Sequence, residues 1–213
     1  MTRSAWPDSP QSAVRAAWET PWKAVNEVAR IASWPVIRLY FALGGIAWGS
    51  GWYIYGLPII QRHRGSRISI GRDFEMRNTR ASSPLGVQHP CILATWSSEA
   101  VIEIGRGVGV TGGAICSVRR IEIGDRVMIG ANCTIVDSDF HPLDSARRMD
   151  DPASGASAPV IIEDDVFIGT QVMILKGTRI GKGSVVGAGS VVAGEIPPLV
   201  LVAGNPAQVL RQL

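Results

Sequence analysis

The sequence predicts a mainly β chain wound as a parallel β-helix. Aliphatic residues recur at every sixth position through Ile162, Ile168, Ile174, Ile180, Val186 and Val192 without a break. A glycine follows many such residues, as in Ile70-Gly71, Ile104-Gly105, Ile123-Gly124, Ile168-Gly169 and Ile180-Gly181. The period excludes the simple alternatives, because a helix repeats near 3.6 residues and a half-buried strand near 2. A period of six suits a short strand, a turn and another short strand, and three such units close one triangular coil. The aliphatic residue then faces the narrow interior and stacks on its equivalent in the next coil. The small residue after it sits at a corner, where the backbone turns sharply. Strand edges pair with the coils above and below, which satisfies the backbone donors and acceptors.

The chain has 213 residues, enough for one domain and an extension. We expect a tryptophan-rich helical extension over residues 1–45 and the coils over 46–213. Residues 1–12 read as a tail. Over 13–33, Val14, Ala17, Trp18, Val25, Val28 and Ala29 recur at roughly helical spacing with charges between them. Pro21 is expected to interrupt this helix, and Trp34-Pro35 to mark its boundary. Six of the seven tryptophans fall in residues 1–52. Beside basic residues they suit a membrane interface or packing onto a neighbouring subunit equally well. Residues 39–60 carry no formal charge, a length that spans a bilayer. Glycines and Pro58 break them up and they run directly into the repeat, so no transmembrane helix is expected.

The six-residue count passes through Ile46, Trp52, Pro58, Arg64, Ile70 and Met76, then Ile92, Ser98, Ile104, Val110 and Cys116, then Ile123, Ile129 and Ile135. It fails over 136–161, a polar stretch with three prolines that reads as a loop thrown out from the coils. Residues 77–91 form a second stretch off the repeat. Pro197-Pro198 end the last coil, and a short helix or strand is expected from Ala207.

Charge is uneven. Residues 1–72 hold nine Lys/Arg against three Asp/Glu, and the remainder twelve against fifteen. A basic leading segment suits an acidic partner such as a membrane surface or nucleic acid, or is simply solvated. Three cysteines, Cys91, Cys116 and Cys133, without a C-x-x-C pair exclude a disulfide framework and a zinc site, and they suit a reducing compartment. Charges throughout the first thirty residues argue against a signal peptide.

The Ile-Gly repeats, the loop DSDFHPLD (137–144), the run IEDDVFIGTQVMILKGTRIGKGSVVGAGSVV (162–192) and the ending IPPLVLVAGNPAQVLR (196–211) resemble the hexapeptide-repeat acyltransferases. More closely, they resemble the branch that O-acetylates sugars and polysaccharides, which includes the maltose and galactoside acetyltransferases. The resemblance implies a left-handed parallel β-helix and a homotrimer with active sites between neighbouring subunits. It implies acetyl-CoA as co-substrate, no metal and no nucleic acid. The implied acceptor is a saccharide of capsule, exopolysaccharide or O-antigen biosynthesis. The implied location is the cytoplasm, with peripheral membrane contact through the N-terminal segment left open.

It also assigns roles. His141 is the only one of three histidines, with His63 and His89, inside the 136–161 break. A neutral imidazole suits proton removal from an attacking hydroxyl, so His141 is the implied catalytic base. Asp139 is the first choice to orient it, with Asp137 second. Asn132, Asp137, Arg147 and His89 are candidates for the acceptor side. Gly169, Thr170, Ala188 and Gly189 are implied to present backbone to the pantetheine arm, and Arg211 to meet a nucleotide phosphate. Backbone N–H groups near Gly169 are the expected oxyanion donors. Two departures stand out. Ala193-Gly194 replaces a Thr-Lys pair common in sugar acetyltransferases, leaving Lys176 and Lys182 as candidates for the missing cation. An acceptor-side asparagine has no counterpart near Val110-Thr111-Gly112. N-acylation of a nucleotide-linked amino sugar and a non-catalytic scaffold remain as alternatives. A serine acetyltransferase would need a larger helical domain, and the zinc site of the carbonic anhydrase relatives needs three histidines.

Overall fold

The computed structural model describes residue 15 and residues 17–213. Helix α1 (Pro21–Leu43) leads into stacked three-strand coils. Coil one holds β1 (Tyr53–Tyr55), β2 (Ile59–Arg62) and β3 (Arg67–Ile70). Coil two holds β4 (Glu75–Arg77), β5 (Ile92–Thr95) and β6 (Val101–Ile104). Coil three holds β7 (Gly109–Thr111), β8 (Ala114–Ser117) and β9 (Arg120–Ile123). Coil four holds β10 (Met128–Ala131), β11 (Thr134–Val136) and β12 (Val160–Ile162). Coil five holds β13 (Phe167–Ile168), β14 (Met173–Ile174) and β15 (Arg179–Ile180). Coil six holds β16 (Val185–Val186), β17 (Val191–Val192) and β18 (Glu195–Ile196). Strand β19 (Val200–Gly204) opens a seventh coil, and β20 (Ala207–Gln212) folds back antiparallel on it. The ending is therefore a strand. The first strand of every coil joins one sheet, the second strands another and the third strands another, with parallel pairing between coils. We call these the first, second and third faces. The first corner lies between the first and second faces, and the second corner between the second and third.

Inward residues stack in register. Met76, Val110, Ile129, Ile168, Val186 and Val202 line the first face. Leu93, Ile115, Ile135, Ile174 and Val192 line the second. Ile104, Ile123, Ile162, Ile180 and Ile196 line the third. Each such burial contributes about 1.5–3 kcal/mol. One stretch of the six-residue count is out of phase. It points Ile92 and Cys116 inward, whereas Leu93 and Ile115 are the buried members. Both phases offer a hydrophobic residue here, so counting does not separate them. The larger Ile115 fills the interior, stacked on Leu93 of the coil before, and a one-residue slip turns every side chain to the other side of its sheet.

The glycines of the Ile-Gly pairs serve close packing rather than turning. A Cβ on Gly71 would lie 2.7 Å from the Gly105 carbonyl, and one on Gly105 would lie 2.6 Å from that of Gly124. None of the three adopts a positive φ; Arg126, Asn132, Asp165 and Gln171 are among the corner residues that do.

Pro21 interrupts the helical stretch as expected: residues 17–19 are helical, Thr20 is not, and Pro21 opens helix α1 at its first turn, where a missing N–H is harmless. The boundary expected at Trp34-Pro35 is absent, and the helix continues through Pro35 to Leu43. An internal proline costs about 3 kcal/mol, and the residues beyond it offset that cost. Ile37 and Phe41 are fully buried against the open end of coil one. The Phe41 ring lies 5.4 Å from Trp52 and 5.7 Å from Trp48, and Trp52 lies 5.7 Å from Phe74. Trp52 Nε1 donates to the Gly71 carbonyl at 2.7 Å. Trp48 and Trp52 thus plug the solenoid, while Trp18 and Trp22 are exposed. Residues 39–60 end α1 and form β1 and the start of β2; among the described residues no helix is long and apolar enough to cross a membrane. The expected tail over 1–12 lies outside the described residues.

Two predictions follow from this packing. Gly105→Ala should destabilise the protein by roughly 1–3 kcal/mol in urea melts, because its new methyl meets backbone. Gly109→Ala, with nothing within 4 Å of its added Cβ, should be near neutral, and equal melts would refute the close-contact account. Burial pushes the Cys91 thiol up to about 12, and those of Cys133 and Cys116 up to about 11, from 9.0. The unfolded chain releases these protons first, so their stabilisation is complete below pH 9.0 and is lost as pH rises through 11–12. The fall in urea midpoint between about pH 8 and about pH 10.5 should be smaller in Cys91→Ala than in the parent.

Candidate active site

The 137–159 excursion leaves the second corner after β11 and returns into β12. Its root is Asp137, which is fully buried. Oδ2 accepts from the Ser117 hydroxyl at 2.7 Å and from the backbone N–H groups of Arg119 and Arg120 at 2.8 and 2.6 Å. Oδ1 accepts from the Val118 N–H at 2.7 Å. The Asp137 carbonyl accepts from Ala158 N–H at 2.9 Å, so one residue ties both ends of the loop. Asp137 is therefore a structural anchor and not the acceptor-binding group expected from sequence. Its carboxylate sits where chain and hydroxyl donors converge, and no part of it reaches solvent.

Above this root a short stem pairs Ser138 with Ser157, and Asp139 N–H donates to the Ala156 carbonyl at 2.9 Å. Phe140 adopts φ 60°, and His141 N–H donates back to the Asp139 carbonyl at 2.7 Å. The Phe140 ring lies edge-on to Trp96 at 6.1 Å. His141 is exposed, with Nδ1 2.7 Å from the Pro152 carbonyl. A carbonyl only accepts, so in the neutral ring Nδ1 carries the proton and Nε2 keeps its lone pair. Gly155 permits this closure, because a Cβ there would lie 2.6 Å from His141 N.

Asp139 does not orient the imidazole here. Its Oδ1 pairs with Lys176 Nζ at 2.7 Å, which fastens the loop to the corner of coil five. Lys176 is thereby engaged, and Lys182 lies 3.9 Å from Asp165. Arg147 is exposed on the short helix α2 (Ser145–Asp150), whose N-cap Asp144 accepts from the Arg147 N–H at 2.8 Å.

The expected coenzyme-binding residues lie elsewhere, and so does the acceptor-side candidate Asn132. Asn132, Thr170 and Ala188-Gly189 occupy the first corner of coils four, five and six. With residues 85–88 of the second excursion, Asn132 and Thr170 line a cavity of about 400 Å³ that also takes in Arg80 and Gln171. Asn132 Oδ1 accepts from Gln88 N–H at 2.9 Å, and Thr170 Oγ1 donates to the Ala131 carbonyl at 2.7 Å. Gly169 N–H donates to the Val186 carbonyl at 2.8 Å and is taken up in the sheet. A Cβ on Gly169 would lie 2.6 Å from Ala188 N, whereas Gly189 faces open space. Arg211 is exposed on β20. His89 is half-buried, with Nδ1 2.8 Å from the Pro90 carbonyl, and does not line the cavity. Within one chain, then, Asn132 and Thr170 come together while His141 stands across the second face from them.

Removing the anchor should separate stability from loop chemistry. Asp137→Ala leaves four converging donors without their acceptor and should cost on the order of 3 kcal/mol. Urea melts and proteolysis within 137–159 are the measurements, and an unchanged midpoint would contradict the anchoring role.

Comparison with known proteins agrees with this architecture. A model of the bacterial transferase hexapeptide (six repeats) matches residues 159–194, and one of the hexapeptide repeat of succinyl-transferase matches residues 120–136. Over 58 residues the chain is 48% identical to a 2,3,4,5-tetrahydropyridine-2,6-dicarboxylate N-acetyltransferase of Brevibacillus brevis, a stretch covering 27% of this chain and 25% of that protein. A solved hexapeptide-repeat-containing acetyltransferase of Vibrio cholerae is 26% identical, with 97% of this chain and 94% of the other covered at a TM-score of 0.55. A galactoside acetyltransferase in complex with coenzyme A is 30% identical, with 70% and 64% covered at a TM-score of 0.52. The chain spans less than half the length of the curated relatives it matches. Coils of six-residue repeats with these likenesses make the chain a hexapeptide-repeat protein that resembles the acetyltransferases built on that repeat, sugar acetyltransferases among them.

Proposed function

We propose that the chain moves an acetyl group from acetyl-CoA to a hydroxyl of a saccharide, with His141 as general base. The observation that carries this reading is the Nδ1 contact to the Pro152 carbonyl, which leaves a basic Nε2 on an exposed loop tip. Nε2 takes the hydroxyl proton as the acceptor oxygen bonds to the acetyl carbon. The carbon–sulfur bond breaks, and the imidazolium returns the proton to the departing thiolate. The Pro152 carbonyl holds the ring throughout and steadies its positive charge. Asp139 acts at one remove, by fixing the loop through Lys176.

The donor groove in this reading is the first corner. Ala188 and Gly189 are exposed there and carry little side chain, which suits close approach of an extended pantetheine arm to backbone. Because this corner and His141 flank opposite edges of the second face, a complete site takes each from a different chain. The second face supports such an assembly. Its outward residues Ile92, Ala114, Thr134, Val136, Met173 and Val191 are uncharged. The third face instead carries ion pairs such as Arg67–Glu103 and Arg179–Glu163. A homotrimer that buries the second face is the arrangement we infer. Acetyl-CoA as donor places the reaction in the cytoplasm. The likeness to a galactoside acetyltransferase favours a saccharide acceptor, and we infer one of capsule, exopolysaccharide or O-antigen biosynthesis. N-acetylation of an amine is the second reading, favoured by the stretch shared with an N-acetyltransferase, and the same Nε2 would serve it.

Coenzyme A release with a panel of glycans is the test. The wild type should turn over, and His141→Ala should lose about 10²–10⁴-fold in kcat. Ala188→Trp, which fills the groove, should also be inactive. Co-expression of the two variants should restore activity if the two corners meet across chains. Full activity of His141→Ala would end the mechanism.

A further inference from the structure

Trp96 is the only tryptophan beyond coil one. It follows β5 at the second corner of coil two, where its N–H donates to the Ser117 carbonyl at 2.9 Å. Its side chain does not follow its backbone into the fold. Trp96 is 63% exposed, while the aromatic cluster of Phe41, Trp52 and Phe74 at the solenoid end is buried. The root of the His141 loop lies two coils further along the axis, about 10 Å at the usual strand spacing. The loop leans back over that distance, so that the Phe140 ring meets Trp96 edge-on at 6.1 Å and 69°. Phe140 immediately precedes His141, and its φ of 60° with the His141-to-Asp139 backbone bond fixes the two side chains relative to each other.

An aromatic pair serving only to anchor the loop would gain most by burying both rings, since a buried aromatic removes about 150–250 Å² from water. Phe140 follows that rule in part, and Trp96 does not: the two rings meet at 69°, and 63% of Trp96 is left open beside Phe140, the residue before His141. An open indole offers an electron-rich face. A pyranose presents the complementary surface, a patch of C–H groups made electropositive by the ring and hydroxyl oxygens, with hydroxyls around its rim. We propose that Trp96 is the platform on which one pyranose ring of the acceptor stacks, so that a rim hydroxyl meets His141 Nε2. The inference rests on the reading of the chain as a saccharide acetyltransferase, and it assigns acceptor specificity to a corner of coil two that the six-residue repeat does not mark. A pyranose with an uninterrupted C–H face binds here, and one whose face carries an axial hydroxyl binds less well.

The test compares wild type, Trp96→Leu and Trp96→Phe. Leucine keeps an apolar contact for Phe140 and removes the flat face, and phenylalanine restores a face. Kinetics are measured against acetyl-CoA and against the glycan that the wild type accepts, with melting temperature alongside. Glycan binding to His141→Ala, with and without Trp96→Leu, is followed by saturation-transfer NMR in the absence of donor. Trp96→Leu should raise the acceptor KM about ten-fold, the worth of one stacking contact, with the acetyl-CoA KM and the melting temperature unchanged. Trp96→Phe should recover most of that loss, and saturation transfer should be strongest at protons of one sugar face and should disappear in the double variant. An unchanged acceptor KM in an active Trp96→Leu enzyme would overturn the platform and leave the acetyltransferase reading standing. So would a parallel change in both KM values and the melting temperature, which would mark Trp96 as a loop anchor. A wild type that neither binds nor acetylates any saccharide would overturn both.

Discussion

Successive coils rest on one another through backbone contacts that leave no room for a methyl group, and most of the architecture answers to that spacing. Gly71, Gly105 and Gly124 lie in line along one corner, the first two each against the carbonyl of the next and Gly124 against the Glu163–Asp164 backbone. The interior between them is narrow enough to be filled by one branched aliphatic residue per face per coil. Side chains with chemistry to perform are therefore excluded from the interior and confined to faces and corners. Polar work falls to the corners, where the ladder of strand pairing is interrupted and the backbone is free to leave.

The chain leaves twice. Residues 78–91 depart at the first corner of coil two and residues 137–159 at the second corner of coil four. A departure of this kind exposes the interior unless its root is sealed. Asp137 provides the seal, a buried carboxylate whose negative charge is met by three backbone N–H groups and a hydroxyl. The loop above it is held by one turn at Phe140, one contact to Trp96 and one ion pair from Asp139 to Lys176. His141 thus stands on a short, separately fastened arm rather than on the solenoid itself.

The solenoid was legible because its period is a local property, repeated often enough to dominate chance. Phase was less legible: Ile92 beside Leu93, and Ile115 beside Cys116, leave two solutions that only packing across the interior separates. Pro35 reads as a helix boundary by local rules, yet burial of Ile37 and Phe41 against the end of the solenoid outweighs it. In the candidate site His141 stood out because the repeat fails around it. The partners of its loop did not. Lys176 is 37 residues from Asp139, and the Pro152 carbonyl is a backbone atom that no residue type announces. Asp137 looked like one more acidic residue of a polar loop, and nothing in its neighbourhood in the chain foretells burial among the donors of coil three.

The plug at one end and the hairpin at the other have a consequence for the molecule's solubility. A stack of parallel coils is in principle endless, since its terminal strands offer unpaired edges and an open apolar interior to another copy. Phe41, Trp48 and Trp52 cover the interior at coil one, and β20 runs antiparallel where an eighth coil would otherwise dock. The reversed strand occupies the hydrogen-bonding edge of β19 in the wrong direction for continuation. Chains that lost either closure would offer the apolar interior and the freed edge of the first face to another copy, a template for end-to-end growth.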